Sequence, residues 1–189
     1  MGRIVISENV TLDGVVQDPA GREGFKLGGW VGRIGEKGRD QAARVLLDEN
    51  LRAEALLLGR RSYEFLAAVW PSRSGALADR LNGMPKYVVS STIEDPDWSN
   101  TTVLRGDAVS EVSKLKQELD GEILVPASFQ LWHLLLQRDL VDELRLMVYP
   151  VLLGTGERLF GEGGEETQVR LVDVQTVDDL ARLIYEVAR

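Results

Sequence analysis

The sequence predicts an α/β fold: a central, mostly parallel β-sheet with helices on both faces and an antiparallel edge. Three observations carry this. Short apolar runs alternate with helix-spaced segments as far as about residue 140. Some of those runs, such as Ala55–Leu58, are apolar without interruption, as strands buried on both faces are. Beyond residue 142 strand follows strand with no helical stretch between, which antiparallel pairing allows. With 189 residues, 44% of them hydrophobic, the chain can bury one sizeable core. Residues 1–189 therefore read as a single domain without linker, repeat or low-complexity segment.

Taken in order, Arg3–Ser7 is a β-branched run and an inner strand. Residues 13–38 carry glycines at 14, 21, 24, 28, 29, 32, 35 and 38 without a period, which makes a long loop of the kind that is functional or disordered. Arg39–Leu51 has helical spacing, with Ala43, Leu47 and Leu51 striping one face and Asp40 on the same stripe. Ala55–Leu58 is a strand ended by Gly59, and Ser62–Val69 a helix stopped by Trp70-Pro71. Lys86–Ser90 and Thr102–Leu104 are further strands. Asp107 is a good N-cap for a helix striped by Val112, Leu115 and Leu119. Asp120-Gly121 turns the chain into the strand Glu122–Val125, and Ser128 caps a helix carrying Leu131, Leu134 and Leu135. Glu143–Tyr149 alternates, with Leu144, Leu146 and Val148 on one face, and Val169–Val174 and Ala181–Val187 are two more strands. Between them lie Leu153-Gly154-Thr155-Gly156, the glycine-rich Gly161–Gly164 and the acidic run Glu162–Glu166, which reads as a solvated loop.

The net charge of -8 gives a surface that repels phosphate backbones and anionic lipid, so neither nucleic acid nor a membrane is an expected partner. A nucleotide would have to be held by a local basic pocket. The absence of cysteine removes disulfides, thiol chemistry and cysteine-ligated zinc. The single histidine, His133, leaves histidine metal sites and catalytic triads almost nothing to build on, so no metal is expected. In its leucine-rich helix it reads as a satisfied, partly buried side chain. Trp30, Trp70, Trp98 and Trp132 read as core or rim packing. No leader-like segment and no run of about 18 apolar residues appears, and the expected compartment is the cytoplasm.

Leu57-Leu58-Gly59-Arg60-Arg61-Ser62-Tyr63-Glu64 is the most informative stretch. A buried strand ends at a glycine and two arginines stand at the mouth of a helix, where free N–H groups and the dipole attract anions. The pattern reads equally as a phosphate site and as a strand-to-helix turn with solvated arginines. Ser90-Ser91-Thr92 places hydroxyls where a strand ends, bordering the ligand crevice of an open α/β sheet, or forms an ordinary turn. Ala127-Ser128 repeats the strand–turn–helix logic, with Ser128 as helix cap or pyrophosphate contact. Asp13 faces a ligand or shapes an Asx turn. Asp40 is either a half-buried carboxylate suited to proton transfer or, preferred on spacing alone, an acid in the first turn of a helix.

Five segments in order resemble one family: Thr11-Leu12-Asp13-Gly14, Leu58 to Glu64, Pro85 to Ser90, Leu140 to Leu144, and Pro150 to Gly156 with Leu159-Phe160. Together they resemble the dihydrofolate-reductase-like proteins, on the branch that carries the C-terminal reductase domain of the bifunctional riboflavin deaminase/reductase. The resemblance implies a three-layer, NADPH-binding fold in which Gly59, Arg60, Arg61 and Ser62 hold cofactor phosphates. It also implies that Ser90, Ser91 and Thr92 lie by the adenosine 2′-phosphate and Ala127 and Ser128 by the pyrophosphate. Asp13 and Asp40 would line the substrate side as the candidate catalytic residues, a pyrimidine or pteridine heterocycle would be the substrate, and a homodimer is expected. One departure stands out. Relatives usually have a glycine-rich turn where this chain has Pro126-Ala127; proline lacks an N–H and alanine adds a Cβ, so close approach to a pyrophosphate is impaired. Three readings stay open: a heterocycle reductase using NADPH, the riboflavin-pathway reductase in the strict sense, and a non-catalytic nucleotide-binding protein.

Overall fold

A computed structural model describes residues 1–161 and 166–188; most of the acidic, glycine-rich loop expected at 161–166 lies outside them. The chain forms two compact units interleaved in sequence, Met1–Ile6 with Leu46–Asp142, and Ser7–Val45 with Glu143–Arg189. Strand β1 (Arg3–Thr11) and helix α1 (Glu36–Arg52) each contribute to both.

In the first unit, β2 (Ala53–Gly59) leads through α2 (Arg60–Ala67) and α3 (Ala76–Gly83) to β3 (Lys86–Val89) and β4 (Thr101–Leu104). The chain then passes through α4 (Ala108–Glu118) to β5 (Glu122–Pro126) and α5 (Phe129–Leu136). The strands are hydrogen-bonded in the order β4-β3-β2-β5-β1. Strand β2 pairs in parallel with both β3 and β5, and β3 with β4. The uninterrupted run Leu56-Leu57-Leu58 is fully buried, as expected of a strand covered on both faces. Around it pack Val5, Tyr63, Met84, Val88, Trp98 and Leu124. Asp107 caps α4 as predicted, its carboxylate accepting from the Ser110 N–H at 2.9 Å.

Helix α3 has no counterpart in the sequence reading. It has eight residues and buries only Ala78 and Leu81, too short a stripe to register as a period. Its end is fixed by Lys86, a lysine with no exposed surface. The ammonium donates to the carbonyls of Leu81 (2.6 Å) and Met84 (2.7 Å) and lies 4.5 Å from the Trp98 ring centroid. These are the carbonyls that a helix end leaves without partners. A second buried cation, Lys116, binds the Asp142 carboxylate and the Leu140 carbonyl, and that carboxylate also accepts from the Ile4 N–H.

In the second unit, β6 (Glu143–Tyr149), β7 (Val169–Val177) and β8 (Leu180–Val187) follow β1 in the order β1-β6-β8-β7, with β8 antiparallel to both of its neighbours. Strand β6 has the expected bounds, and every residue in it but Val148 is buried, Glu143 and Arg145 included. The core joins Met147, Tyr149, Val177 and Leu180 to Trp30, whose ring meets Tyr149 edge-on at 5.3 Å. Trp30 thus anchors the long glycine-rich loop, and Asp18 organises it, its carboxylate accepting from the N–H groups of Arg22 (2.7 Å) and Phe25 (3.1 Å).

Helix α1 corrects the stripe read at Ala43, Leu47 and Leu51. Ala43 and Leu51 are exposed, whereas Ala42 and Val45 pack against the second unit's core. The segment has apolar residues on more than one face, and only its packing partners select the buried one. Because the helix starts at Glu36, Asp40 lies in its second turn and is exposed, so the half-buried carboxylate is not formed.

Candidate functional site

In a parallel arrangement the carboxyl ends of the strands share one side, and a crevice opens where strand order reverses. From β2 the chain moves outward to β3 and β4, then returns through α4 to place β5 on the other edge of β2. The predicted segments meet at those carboxyl ends.

Arg60, just past β2, Val89, Ser90, Ser91 and Thr92 at the end of β3, and Leu104 and Gly106 at the end of β4 line a cleft of about 360 Å³. Ser90 is buried and builds the turn: its hydroxyl oxygen accepts from the N–H groups of Thr92 and Ile93, both at 3.2 Å. Ser91 and Thr92 are exposed. The Arg60 guanidinium is 3.2 Å from Glu64, an exposed pair of the kind that contributes little and yields to a stronger anion. Val89 and Leu104 supply apolar surface. The sequence reading missed the β4 side; the signal available was the Arg105-Gly106 turn directly after Leu104.

The other expected phosphate residues form a knot beside the cleft. The Gly59 N–H donates to Ser128 Oγ at 3.1 Å, and Ser128 Oγ donates to the Pro126 carbonyl at 3.0 Å. The buried Ser62 hydroxyl donates to the Ala127 carbonyl at 2.8 Å. The expected cap of α5 by the Ser128 side chain is not formed. Ala127 is held at φ 51°, in the left-handed region. Arg61 is exposed at the start of α2.

Asp13 lies in the second unit, where the Thr11–Gly14 and Pro150–Gly156 segments meet. Its carboxylate accepts from the Thr11 hydroxyl (2.6 Å), the Leu153 N–H (3.1 Å) and the Gly154 N–H (2.7 Å), and its carbonyl from Arg158. Burial pushes its pKa up, but these donors outweigh it and hold the carboxyl below the ordinary 3.8. Gly156 (φ 117°) is required there, since a Cβ would stand 2.8 Å from Val15. His133 packs its ring against Trp132 at 4.2 Å, as expected of a packing histidine. Among the described residues no group of three or more acidic or histidine side chains is disposed to hold a metal, and no helix is long and apolar enough to cross a membrane.

The fold is the dihydrofolate-reductase-like α/β fold. The chain belongs to the RibD C-terminal domain family, whose sequence model matches residues 3–181. It is 24% identical over 189 residues to the uncharacterised YyaP of Bacillus subtilis (strain 168), covering 97% of this chain and 94% of that one. A candidate riboflavin-biosynthesis protein from Shewanella sp. PV-4 has the same fold, with a TM-score of 0.75 at 20% identity over 99% of both chains. Dihydrofolate reductase from Enterococcus faecalis, solved with NADP(H), gives 0.61 at 13% identity over 99% and 97%.

Proposed function

We propose that the protein is an NADPH-dependent reductase of a pyrimidine- or pteridine-type heterocycle, similar to the 5-amino-6-(5-phosphoribosylamino)uracil reductase of riboflavin biosynthesis. One observation carries this: a guanidinium and a set of hydroxyls converge at the carboxyl ends of β2 and β3 in a protein that is otherwise acidic. The donor set fits NADPH. Arg60 would hold the 2′-phosphate by charge-assisted bonds, with Ser91 and Thr92 as further donors and Val89 and Leu104 against the adenine. When bound, NADPH supplies the hydride. Asp13, ionised at neutral pH, acts in this reading by position, holding the backbone of Leu153 and Gly154, and is not the proton donor. The assignment of Asp40 rests on the resemblance alone. A cytoplasmic homodimer belongs to the same proposal; the β7 edge, with Val169, Leu171, Val172 and Val174 between 42% and 55% exposed, is the surface that supports it.

A second reading, a non-catalytic nucleotide-binding protein, is favoured by Ala127 and by the Ser128–Gly59 bond, which close the β5 turn. Titration with NADPH and NADH, read by nicotinamide fluorescence and thermal shift, tests both. Micromolar or tighter binding selective for NADPH, followed by oxidation of NADPH with a pyrimidine or pteridine, is the expected result. Binding without turnover of any such heterocycle favours the second reading, and absence of binding refutes the reductase reading.

A further inference from the structure

We infer that the Ser128 hydroxyl is a placeholder for a phosphate oxygen: it occupies the Gly59 N–H in the free protein and must be displaced for a dinucleotide to bind, which lowers affinity. This rests on the NADPH reading above.

Ser128 stands at the N-cap of α5, where a serine normally accepts from its own helix. Here it does not; its Oγ takes the Gly59 N–H at 3.1 Å and donates to Pro126. It is 5% exposed, so the hydroxyl is not exchanging freely with water. Helix α2 also starts without a side-chain cap, since its N-cap is Gly59 itself, whereas α4 in the same unit is capped by Asp107. Two helix starts joined by the Gly59–Ser128 bond therefore lack a side-chain cap. Leu131 and Ser128 are the side chains nearest Gly59. A Cβ built there would touch Leu131 at 3.8 Å and the Ser128 side chain at 3.9 Å. A phosphate oxygen, an acceptor only, competes with Ser128 Oγ for the same N–H. Arg60, next in sequence, lines the neighbouring cleft.

Removing the hydroxyl has two effects of opposite sign. The free protein loses the partner of a part-buried N–H and becomes less stable, and the phosphate gains that N–H without a competitor. A hydroxyl that bound the phosphate directly would give the opposite change in affinity. The experiment compares wild type, Ser128→Ala, Ser128→Gly and Ser128→Thr for Kd of NADPH and NADP⁺ and for Tm without ligand. Ser128→Ala and Ser128→Gly are expected to bind on the order of tenfold tighter, the equivalent of one unmade hydrogen bond, with lowered ligand-free Tm. Ser128→Thr, which keeps the hydroxyl, is expected to stay within about twofold of wild type. Weaker binding by the alanine and glycine variants, with wild-type binding intact, overturns this inference alone. No binding by wild type or by either variant overturns the NADPH reading and this inference with it.

Discussion

Ala127→Gly tests the turn on which the site depends. Among the described residues, the non-glycine positions at positive φ are Asp18, Asn100, Ala127, Asp139 and Asp178. Four of them are aspartate or asparagine, whose side chains bond locally and tolerate the left-handed region; alanine has no such compensation. Holding Ala127 at φ 51° costs about 1–2 kcal/mol from the contact of its Cβ with the following carbonyl. Glycine removes that cost but gives back about 0.5–1 kcal/mol in unfolded-state entropy. The Ala127 side chain is exposed, so no packing is lost. The net expectation is a gain of about 0.5–1 kcal/mol, or about 1–4 °C in Tm for a chain of this size, by calorimetry or dye-based melting. A Tm lowered by about 2 °C or more would refute the strain argument.

Arg60→Ala is expected to weaken NADPH binding about tenfold or more while leaving NADH nearly unchanged, measured by fluorescence titration; equal losses for both cofactors would remove Arg60 from the 2′-phosphate. Asp13→Asn replaces a carboxylate that accepts from three donors and is expected to lower Tm by about 3–8 °C at neutral pH. Because the folded pKa of Asp13 lies below 3.8, its contribution is intact above that value and is lost as pH falls through the folded value, so the two proteins should converge only in strong acid. Lys86→Met leaves the Leu81 and Met84 carbonyls without a donor and is expected to cost about 2 kcal/mol at pH 7 by denaturant unfolding. Burial lowers the Lys86 pKa from 10.5 to about 8, so its folded form releases a proton first and wild type gains on the variant from pH 8 to 10.5. A gap that narrows over that range would show that the carbonyls and Trp98 hold the ammonium charged.

Periods and punctuation made the sheet legible in the sequence. Leu56-Leu57-Leu58 with Gly59, and Ile123-Leu124-Val125 with Pro126, are apolar runs with sharp ends, and a run buried on both faces is recognisable without knowing its neighbours. Helix α3 and the buried side of α1 were not legible, because the first buries two side chains and the second offers more than one apolar face. In the site, the strand ends could be read because residues adjacent in sequence stay adjacent there, as in Ser90-Ser91-Thr92. Contacts across the sheet could not. Nothing in the local pattern of Ser62 or Ser128 says that one bonds the turn after β5 and the other the turn after β2, and nothing near Asp13 announces Leu153 and Gly154, 140 and 141 positions away.

On the NADPH reading the two ends of the dinucleotide would meet different surroundings. The cleft between β2, β3 and β4 has exposed donors: Arg60 makes the surface pair with Glu64, Ser91 is exposed, and the exposed Thr92 hydroxyl lies 3.4 Å from Ser90 Oγ. The turn after β5 is the reverse: its hydroxyls are matched internally, and its one left-handed residue carries a Cβ. On that reading, binding at the first end would cost little reorganisation, and binding at the second would require Ser128 to move. The affinity of adenosine 2′-monophosphate should then approach that of intact NADP⁺ in the wild type, because the pyrophosphate adds contacts only after breaking one. In Ser128→Ala the intact dinucleotide should pull ahead, since the fragment carries neither pyrophosphate phosphate to take the Gly59 N–H. The ratio of the two affinities, more than either alone, reports whether the β5 turn opens.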